Sequence, residues 1–218
     1  TKGRSKNSEI FFIERWYQLL KEGGEIGVVL PEAVFDTLEY LPLRLFILFR
    51  FKIKALVSLP EHAFAPFTTQ RTTLLFAEKR KKDETLKLDR YFNNILSCLD
   101  LNDEKFLSSI NQIKSIDEPT QHKILEIKNE DTLSREARAY KILLEILPEE
   151  KYPFFIALVE NIGYFRTKKA YWEIEKNDLK VVLDDYYRWL NSGNTNFSFP
   201  YSKVVSTELI GDSDDLRF

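Results

Sequence analysis

Methionine is absent from the 218 residues, cysteine occurs once and histidine twice. A lone Cys98 excludes a disulfide framework and any cysteine-based zinc cluster. His62 and His122 lie sixty residues apart, a spacing that suggests no metal site. Glycine is scarce as well: seven residues, at 3, 23, 24, 27, 163, 193 and 211. No spacing among them gives G-x-G-x-x-G, and none precedes Lys-Ser or Lys-Thr, so the phosphate-cradling loops of nucleotide enzymes are missing. Long uncharged apolar runs are missing too. The most apolar stretch, Leu41 to Leu59, is interrupted by Arg44, Arg50, Lys52 and Lys54 and cannot span a bilayer. No signal-peptide pattern opens the chain, so the expected compartment is the cytoplasm and no membrane partner is expected. Without Met there is no initiator, and the chain reads as a piece of a longer or processed protein.

What is present is ordinary for a globular chain: 44% hydrophobic and 30% charged residues, which excludes disordered and collagen-like classes. The net charge of −2 is unevenly spread. Residues 1–82 carry 14 Lys and Arg against 9 Asp and Glu, and the remainder carries 18 against 25. A basic front half is compatible with a polyanionic partner but is a weak sign of one.

Hydrophobic periodicity predicts the elements. Ile10, Ile13, Tyr17 and Leu20, widened by Phe11, Trp16 and Leu19, form a helical stripe capped by Asn7 or Ser8 and ended by Gly23-Gly24. Residues 25–30 read as a strand buried on both faces, the parallel-sheet type. A helix from Glu32 to Arg50, breakable at Pro42, leads to a strand at 53–59. A loop then leads to a third strand at 72–77, closed by the solvated run Lys79-Arg80-Lys81-Lys82. The first two strands should be parallel across a helical crossover, with the third antiparallel between or beside them. Residues 83–150 suggest short amphipathic helices and a longer one from Glu136 to Leu147. Residues 154–159 suggest another buried strand. Lys168 to Lys176 read as a charged connection, in which Arg166, Lys168 and Lys169 interleave with Tyr171 and Trp172. A helix capped by Asn177 or Asp178 follows, then a linker at 192–196 and a strand of a following unit near Val204-Val205. The fold class is α/β, half of a doubly wound sheet with a helical insertion and a helical C-terminal part.

One pattern occurs twice: Leu30-Pro31-Glu32-Ala33-Val34-Phe35 and Leu59-Pro60-Glu61-His62-Ala63-Phe64 both read L-P-E-x-x-F, each directly after a strand. Carboxyl ends of parallel strands line the ligand crevice of open α/β sheets, so Pro31, Glu32, Pro60 and Glu61 are candidates for a cleft rim. Phe35, with helix following, reads as core. Phe64, in a loop with no helix to anchor it, stays open between packing beneath the loop and standing at the rim. Pro31-Glu32 also suits a helix N-terminus, where the dipole favours Glu. Asp184-Asp185, Asp212, Asp214 and Asp215 show no paired acid–base geometry, and no residue is assigned a catalytic role or a metal.

In order, Ser8-Glu9-Ile10, Phe12-Ile13-Glu14-Arg15, Leu19-Leu20-Lys21-Glu22-Gly23-Gly24 and Gly27-Val28-Val29-Leu30-Pro31 resemble the segment after the catalytic motif of DNA adenine-N6 methyltransferases. The nearest likeness is to modification subunits of type I restriction systems and their fused, type IIG-like relatives. The resemblance continues through Leu38-Glu39-Tyr40, Ile53 to Glu61, Phe64-Ala65-Pro66 and Arg71 to Phe76. It resumes at Val159 to Tyr164 and at Asn177-Asp178-Leu179 with Val182-Leu183 and Tyr186, covering about half the chain. It implies a division into the C-terminal half of the methyltransferase α/β domain (1–82), a mostly helical insertion (83–150), a returning strand and helix (151–191) and a linker toward a specificity region (192–218).

The resemblance further implies S-adenosyl-L-methionine as cofactor of the whole enzyme, with double-stranded DNA and a specificity subunit or fused specificity domain as partners. The family's Gly-rich cofactor loop and Asn/Asp-Pro-Pro-Tyr/Phe motif belong upstream of Thr1 and are absent here, so this segment alone should neither bind the cofactor nor methylate DNA. Such enzymes extrude the target base and hold it between apolar faces, and Phe64 falls where similar enzymes place an aromatic. Thr68, Thr69, Gln70 and Arg71 follow in the same loop as candidate DNA or substrate contacts. Two alternatives stand beside this reading: a non-catalytic module docking on a separate methyltransferase or specificity chain, and an unrelated α/β nucleotide-binding fragment, disfavoured by the missing glycine loop.

Overall fold

The computed structural model describes residues 8–167, 169–193 and 201–211. Five strands form the main sheet, in the order β1 (Glu25–Pro31), β3 (Thr72–Lys79), β2 (Phe51–Leu59), β4 (Pro153–Leu158) and β7 (Ser202–Ser206). β3 is antiparallel to both β1 and β2, so those two strands run parallel with β3 between them. β4 is parallel to β2, and β7 is antiparallel to β4. The fold is mixed α/β, and the relation expected among the first three strands is the one observed.

Helices cover one face of the sheet. They are α1 (Ser8–Leu19), α2 (Ala33–Asp36), α3 (Leu41–Arg50), α4 (Lys82–Cys98), α5 (Asp103–Ile113), α6 (Glu118–Lys128) and α7 (Arg135–Ile146), with α9 (Glu208–Gly211) close to α7. Ile13, Val34, Ile47, Phe51, Leu75, Ile95, Phe106 and Leu143 belong to one continuous core, so residues 82–146 share their apolar interior with the sheet. α7 is buried on several sides: Ala137, Ala139, Tyr140, Ile142, Leu143, Leu144 and Ile146 are all enclosed. The opposite face carries α8 (Asp178–Ser192), whose Val182 packs over Ala55, Val57 and Phe155. A register shift between Ile53 and Ala55 changes the phase of β2. Phe51, Ile53 and Leu56 therefore join the first core, and Ala55, Val57 and Leu59 the second.

Several expectations are corrected. β1 is an edge strand rather than one buried on both faces: Leu30 is buried, but Val29 is 42% exposed. The helix predicted from Glu32 to Arg50 breaks at Thr37, which is extended (φ −92°, ψ 148°), not at Pro42. Pro42 lies in the first turn of α3, where no intrahelical donor is needed. Of the stripe on α1, Ile13 is buried while Phe11 and Leu19 are more than half exposed; Asn7 lies outside the described residues. Half of the run at the end of β3 departs from the solvated reading: Lys81 and Lys82 are exposed, but Lys79 and Arg80 are not. Lys79 donates to the carbonyls of Tyr17 and Leu20 at 2.7 Å, and Arg80 is 4% exposed.

Two corrections concern the C-terminal part. The charged connection at 168–176 is largely a strand: β5 (Ile162–Arg166) and β6 (Tyr171–Asn177) form a separate antiparallel hairpin, with Lys168 outside the described residues. Ser202–Ser206, expected in a linker with Val204-Val205 opening a following unit, is instead the far strand of the main sheet. The linker residues 194–196 and the acidic positions 212, 214 and 215 lie outside the described residues. No helix among the described residues is long and apolar enough to cross a membrane.

Candidate functional site

The carboxyl ends of the three parallel strands β1, β2 and β4 meet at one rim, at Pro31, Leu59 and Leu158. Short bonds stitch the rim together. The Glu32 amide donates to the Arg71 carbonyl at 3.0 Å, joining the end of β1 to the start of β3. The Ser58 hydroxyl donates to Glu32 Oε1 at 3.2 Å, and the Val159 amide donates to the Ser58 carbonyl at 2.9 Å. Glu32 thus turns its carboxylate to Ser58 and makes no side-chain cap for the four-residue α2. Pro31 and Glu32 are half-buried, Pro60 is buried and Glu61 exposed.

The 60–71 loop is folded on itself by consecutive turns. Ala63, Ala65 and Phe67 donate to the carbonyls of Pro60, His62 and Phe64, and the Thr68 amide shares the last acceptor at 3.2 Å. Buried Ala63 and Ala65 anchor it, which leaves Phe64 39% exposed and Phe67 89% exposed. The repeated L-P-E-x-x-F pattern therefore has two outcomes. Phe35, carried by α2, is 3% exposed and packs in the core, while Phe64 stays at the rim. Thr68 is half-buried, its oxygen accepting from the Gln70 amide at 3.1 Å. Thr69, Gln70 and Arg71 point to solvent.

The β5–β6 hairpin packs against this loop, a neighbour the sequence reading missed. The Tyr164 hydroxyl donates to the Ala63 carbonyl at 2.7 Å, and the His62 and Phe165 rings lie 4.7 Å apart. Two aromatic pairs cross the hairpin, Phe165 with Trp172 and Tyr164 with Tyr171. Aromatics at 164, 165, 171 and 172 around a polar tip were the available signal. The lysines of the segment obscured it. Gly163 adopts φ +82° where the register shifts, and a Cβ there would lie 3.0 Å from Asn177 Nδ2.

Asp178 closes the neck of the hairpin. It is 2% exposed, and its Oδ2 accepts from the Asn161 amide at 2.9 Å, from Asn161 Nδ2 at 3.1 Å and from the Glu160 amide at 3.3 Å. Burial by itself would raise this carboxyl. The hydrogen bonds from Asn161 and Glu160, with the Lys176 charge, outweigh it and hold the pKa below the ordinary 3.8. A depressed folded-state pKa gives stabilisation that is complete above the unfolded value and fades as pH falls through the folded one. Asp178→Asn is thus expected to cost about 1.5–3 kcal/mol near neutrality. The wild-type advantage over the variant should shrink below about pH 4, as measured by urea unfolding at a series of pH values. An advantage that stays constant down to pH 2 would refute this assignment.

Other candidates are structural. Cys98 is buried among α4 and its neighbours, and burial pushes its thiol upward. His122 is exposed. Asp185 is buried and accepts from the Ser202 hydroxyl at 3.0 Å, tying α8 to β7. Tyr186 and Trp189 pack on Phe155, whereas Tyr187 is 55% exposed. No cluster of three metal-ligating side chains occurs among the described residues. The glycines at 23, 24 and 27 precede or interrupt β1 and form no loop after a strand end, so the residues present do not fit a bound S-adenosylmethionine.

No family model and no curated protein matches the chain. Among solved structures, a chain from work on the structural basis of complex assembly and conformational transition of the type I R-M system superposes with a TM-score of 0.32 and 17% identity. The match covers 70% of this chain and 42% of that one, so this chain spans less than half of that neighbour's length. A likeness of this size carries no argument about activity.

Proposed function

We propose that this chain forms the target-base side of the cleft in an S-adenosylmethionine-dependent DNA adenine-N6 methyltransferase of a restriction-modification system. The reading rests on the ordered motif resemblance, which runs through the rim segments themselves. The observation that carries it is Phe64: a 39% exposed aromatic on a self-bonded loop, at the carboxyl end of a strand parallel to β1 in the same sheet. An extruded adenine needs an apolar face that is rigid before the base arrives, and such a ring supplies one. Placing 25–31 and 51–59 antiparallel or in separate sheets would have excluded the reading. The cofactor loop and the catalytic motif are assigned to other sequence of the enzyme, and no chemical step is assigned to residues of this chain.

Phe64→Ala in the complete enzyme tests this. Stacking contributes about 1–3 kcal/mol per base, so kcat/KM for methylation should fall by roughly 5- to 150-fold. Cofactor affinity should be unchanged, and the melting temperature should move by no more than a few degrees because the ring is not in the core. An unchanged methylation rate would refute the stacking role. A second reading, a non-catalytic module docking on a separate chain, draws on the exposed Phe11, Phe12 and Leu19 of α1 and the open edge of β1. Under it, Phe64→Ala leaves methylation untouched.

A further inference from the structure

The 60–71 loop and the tip of the β5–β6 hairpin enclose a second feature, a cleft lined by Glu61, His62, Thr69, Phe165, Arg166 and Lys169. Its chemistry differs from that of the loop alone. Phe165 is 38% exposed and Trp172, beside it across the hairpin at 5.6 Å, is 52% exposed. Apolar rings of this size are normally buried, and this pair, tilted 42° to one another on a two-stranded ribbon, leaves aromatic surface open to stack on. Arg166 and Lys169 make no ion pair among the described residues, although the molecule forms many elsewhere, including Arg50–Asp89 and Lys128–Asp103. Glu61 is the one acidic residue in the lining, against these two cations. His62 Nε2 is enclosed yet finds no hydrogen-bond partner among the described residues. A polar atom in that position calls for a ligand group or a water.

We infer that this cleft holds the DNA strand beside the extruded base, with an unstacked neighbouring base on Phe165 and Trp172 and its phosphates on Arg166 and Lys169. This deepens the function proposed above and rests on it, since an unstacked neighbour exists only where a duplex has been opened. Charge selects the occupant. A cationic pair next to exposed rings suits a polyanion carrying π-faces. The tie from Tyr164 to Ala63 joins the cleft to the loop that carries Phe64, so one strand can engage both.

The test uses the 218-residue chain and a fluorescein-labelled 20-nucleotide single strand, with the same sequence as duplex, followed by anisotropy over a salt series. The single strand should bind more tightly than the duplex. Trp172→Ala should weaken single-strand binding roughly 5- to 150-fold, the loss expected for one stacked base. Arg166→Gln with Lys169→Gln should reduce the salt slope by about 1.4, the single-strand value for two phosphate contacts. Melting temperatures of all variants should stay within a few degrees of wild type, since these side chains are exposed. Undetectable binding by wild type, or binding that these variants leave unchanged, overturns the inference. Salt-independent binding would mean that Arg166 and Lys169 hold no phosphates and would overturn it equally. Phe64→Ala methylation kinetics separate the two proposals. A rate loss there with no hairpin effect here leaves the stacking role standing and removes only the second site. Hairpin binding with an unaffected Phe64→Ala rate removes the stacking role, and with it the placing of this strand beside an extruded base, and leaves a single-strand site alone.

Discussion

Arg80→Ala is expected to destabilise the fold by about 3–5 kcal/mol, the range for removing one partner of a buried ion pair. The guanidinium sits where β3, β2, the end of α3 and the 3-10 turn Pro148–Glu150 converge. Its Nε donates to the carbonyls of Leu48 and Phe51 at 3.2 and 3.1 Å, and its Nη1 lies 2.8 Å from Glu150 Oε2, off the hydrogen-bond axis. The Tyr152 ring stands 5.8 Å away, and the Tyr152 oxygen accepts from the Ile53 amide. The side chains of Arg80 and Glu150 are 3% and 13% exposed, so water replaces neither partner well. Truncation would strand a carboxylate and two carbonyls at once. Pairing Arg80→Met with Glu150→Gln should recover much of the loss, because it removes the unpaired charge and keeps the volume. Urea unfolding of both variants measures this. An Arg80→Ala cost below 1 kcal/mol would mean that the site is wet.

Phe155→Ala should cost about the same, 3–5 kcal/mol, through lost burial and a cavity. Phe155 is 1% exposed at the centre of β4 and is the platform on which α8 rests. Tyr186 meets it edge-on at 5.4 Å and Trp189 stacks at 6.1 Å, with Val182 and Val57 in the same cluster. Because Asn177 and Asp178 link α8 directly to β6, loosening this platform should also loosen the hairpin. Amide exchange of Ile162 to Asn177 should therefore rise in the variant, along with the fall in melting temperature. Tyr187→Ala, one residue from Tyr186 but 55% exposed, should change stability by less than about 0.5 kcal/mol. Equal effects at 155 and 187 would overturn this account of the second core.

The elements of the front half were legible because each carries a local signature. Gly23 stands at φ +70° in the turn between α1 and β1, as a glycine pair after a helix implies. Asn177 caps α8 through a bond from the Leu179 amide, as an Asn before an apolar helical stripe implies. The parallel relation of β1 and β2 followed from a helical crossover, and the antiparallel β3 from a loop too short for one. Phe35 and Phe64 show where local pattern stops. They share a motif, but burial depends on what the backbone does next: α2 turns Phe35 inward, and the turns of the 60–71 loop keep Phe64 at the surface.

What the tertiary structure decided are the features that depend on distant partners. Lys79 and Arg80 look like a solvated charge run, yet carbonyls of α1, α3 and β2 and the carboxylate of Glu150 are brought to them from up to seventy residues away. β6 looks like a charged connection because Lys168 and Lys169 precede it and Glu173, Glu175 and Lys176 lie within it, and the hairpin gains its contacts from His62 and Ala63 a hundred residues earlier. β7 carries no mark of membership in this sheet; the free edge of β4 recruits it. Composition and periodicity register neighbours within one turn of helix or one strand. Ion pairs, edge pairing and loop packing are set by chain segments that meet only after folding, so the rim, the cleft beside it and the buried arginine belong to the fold.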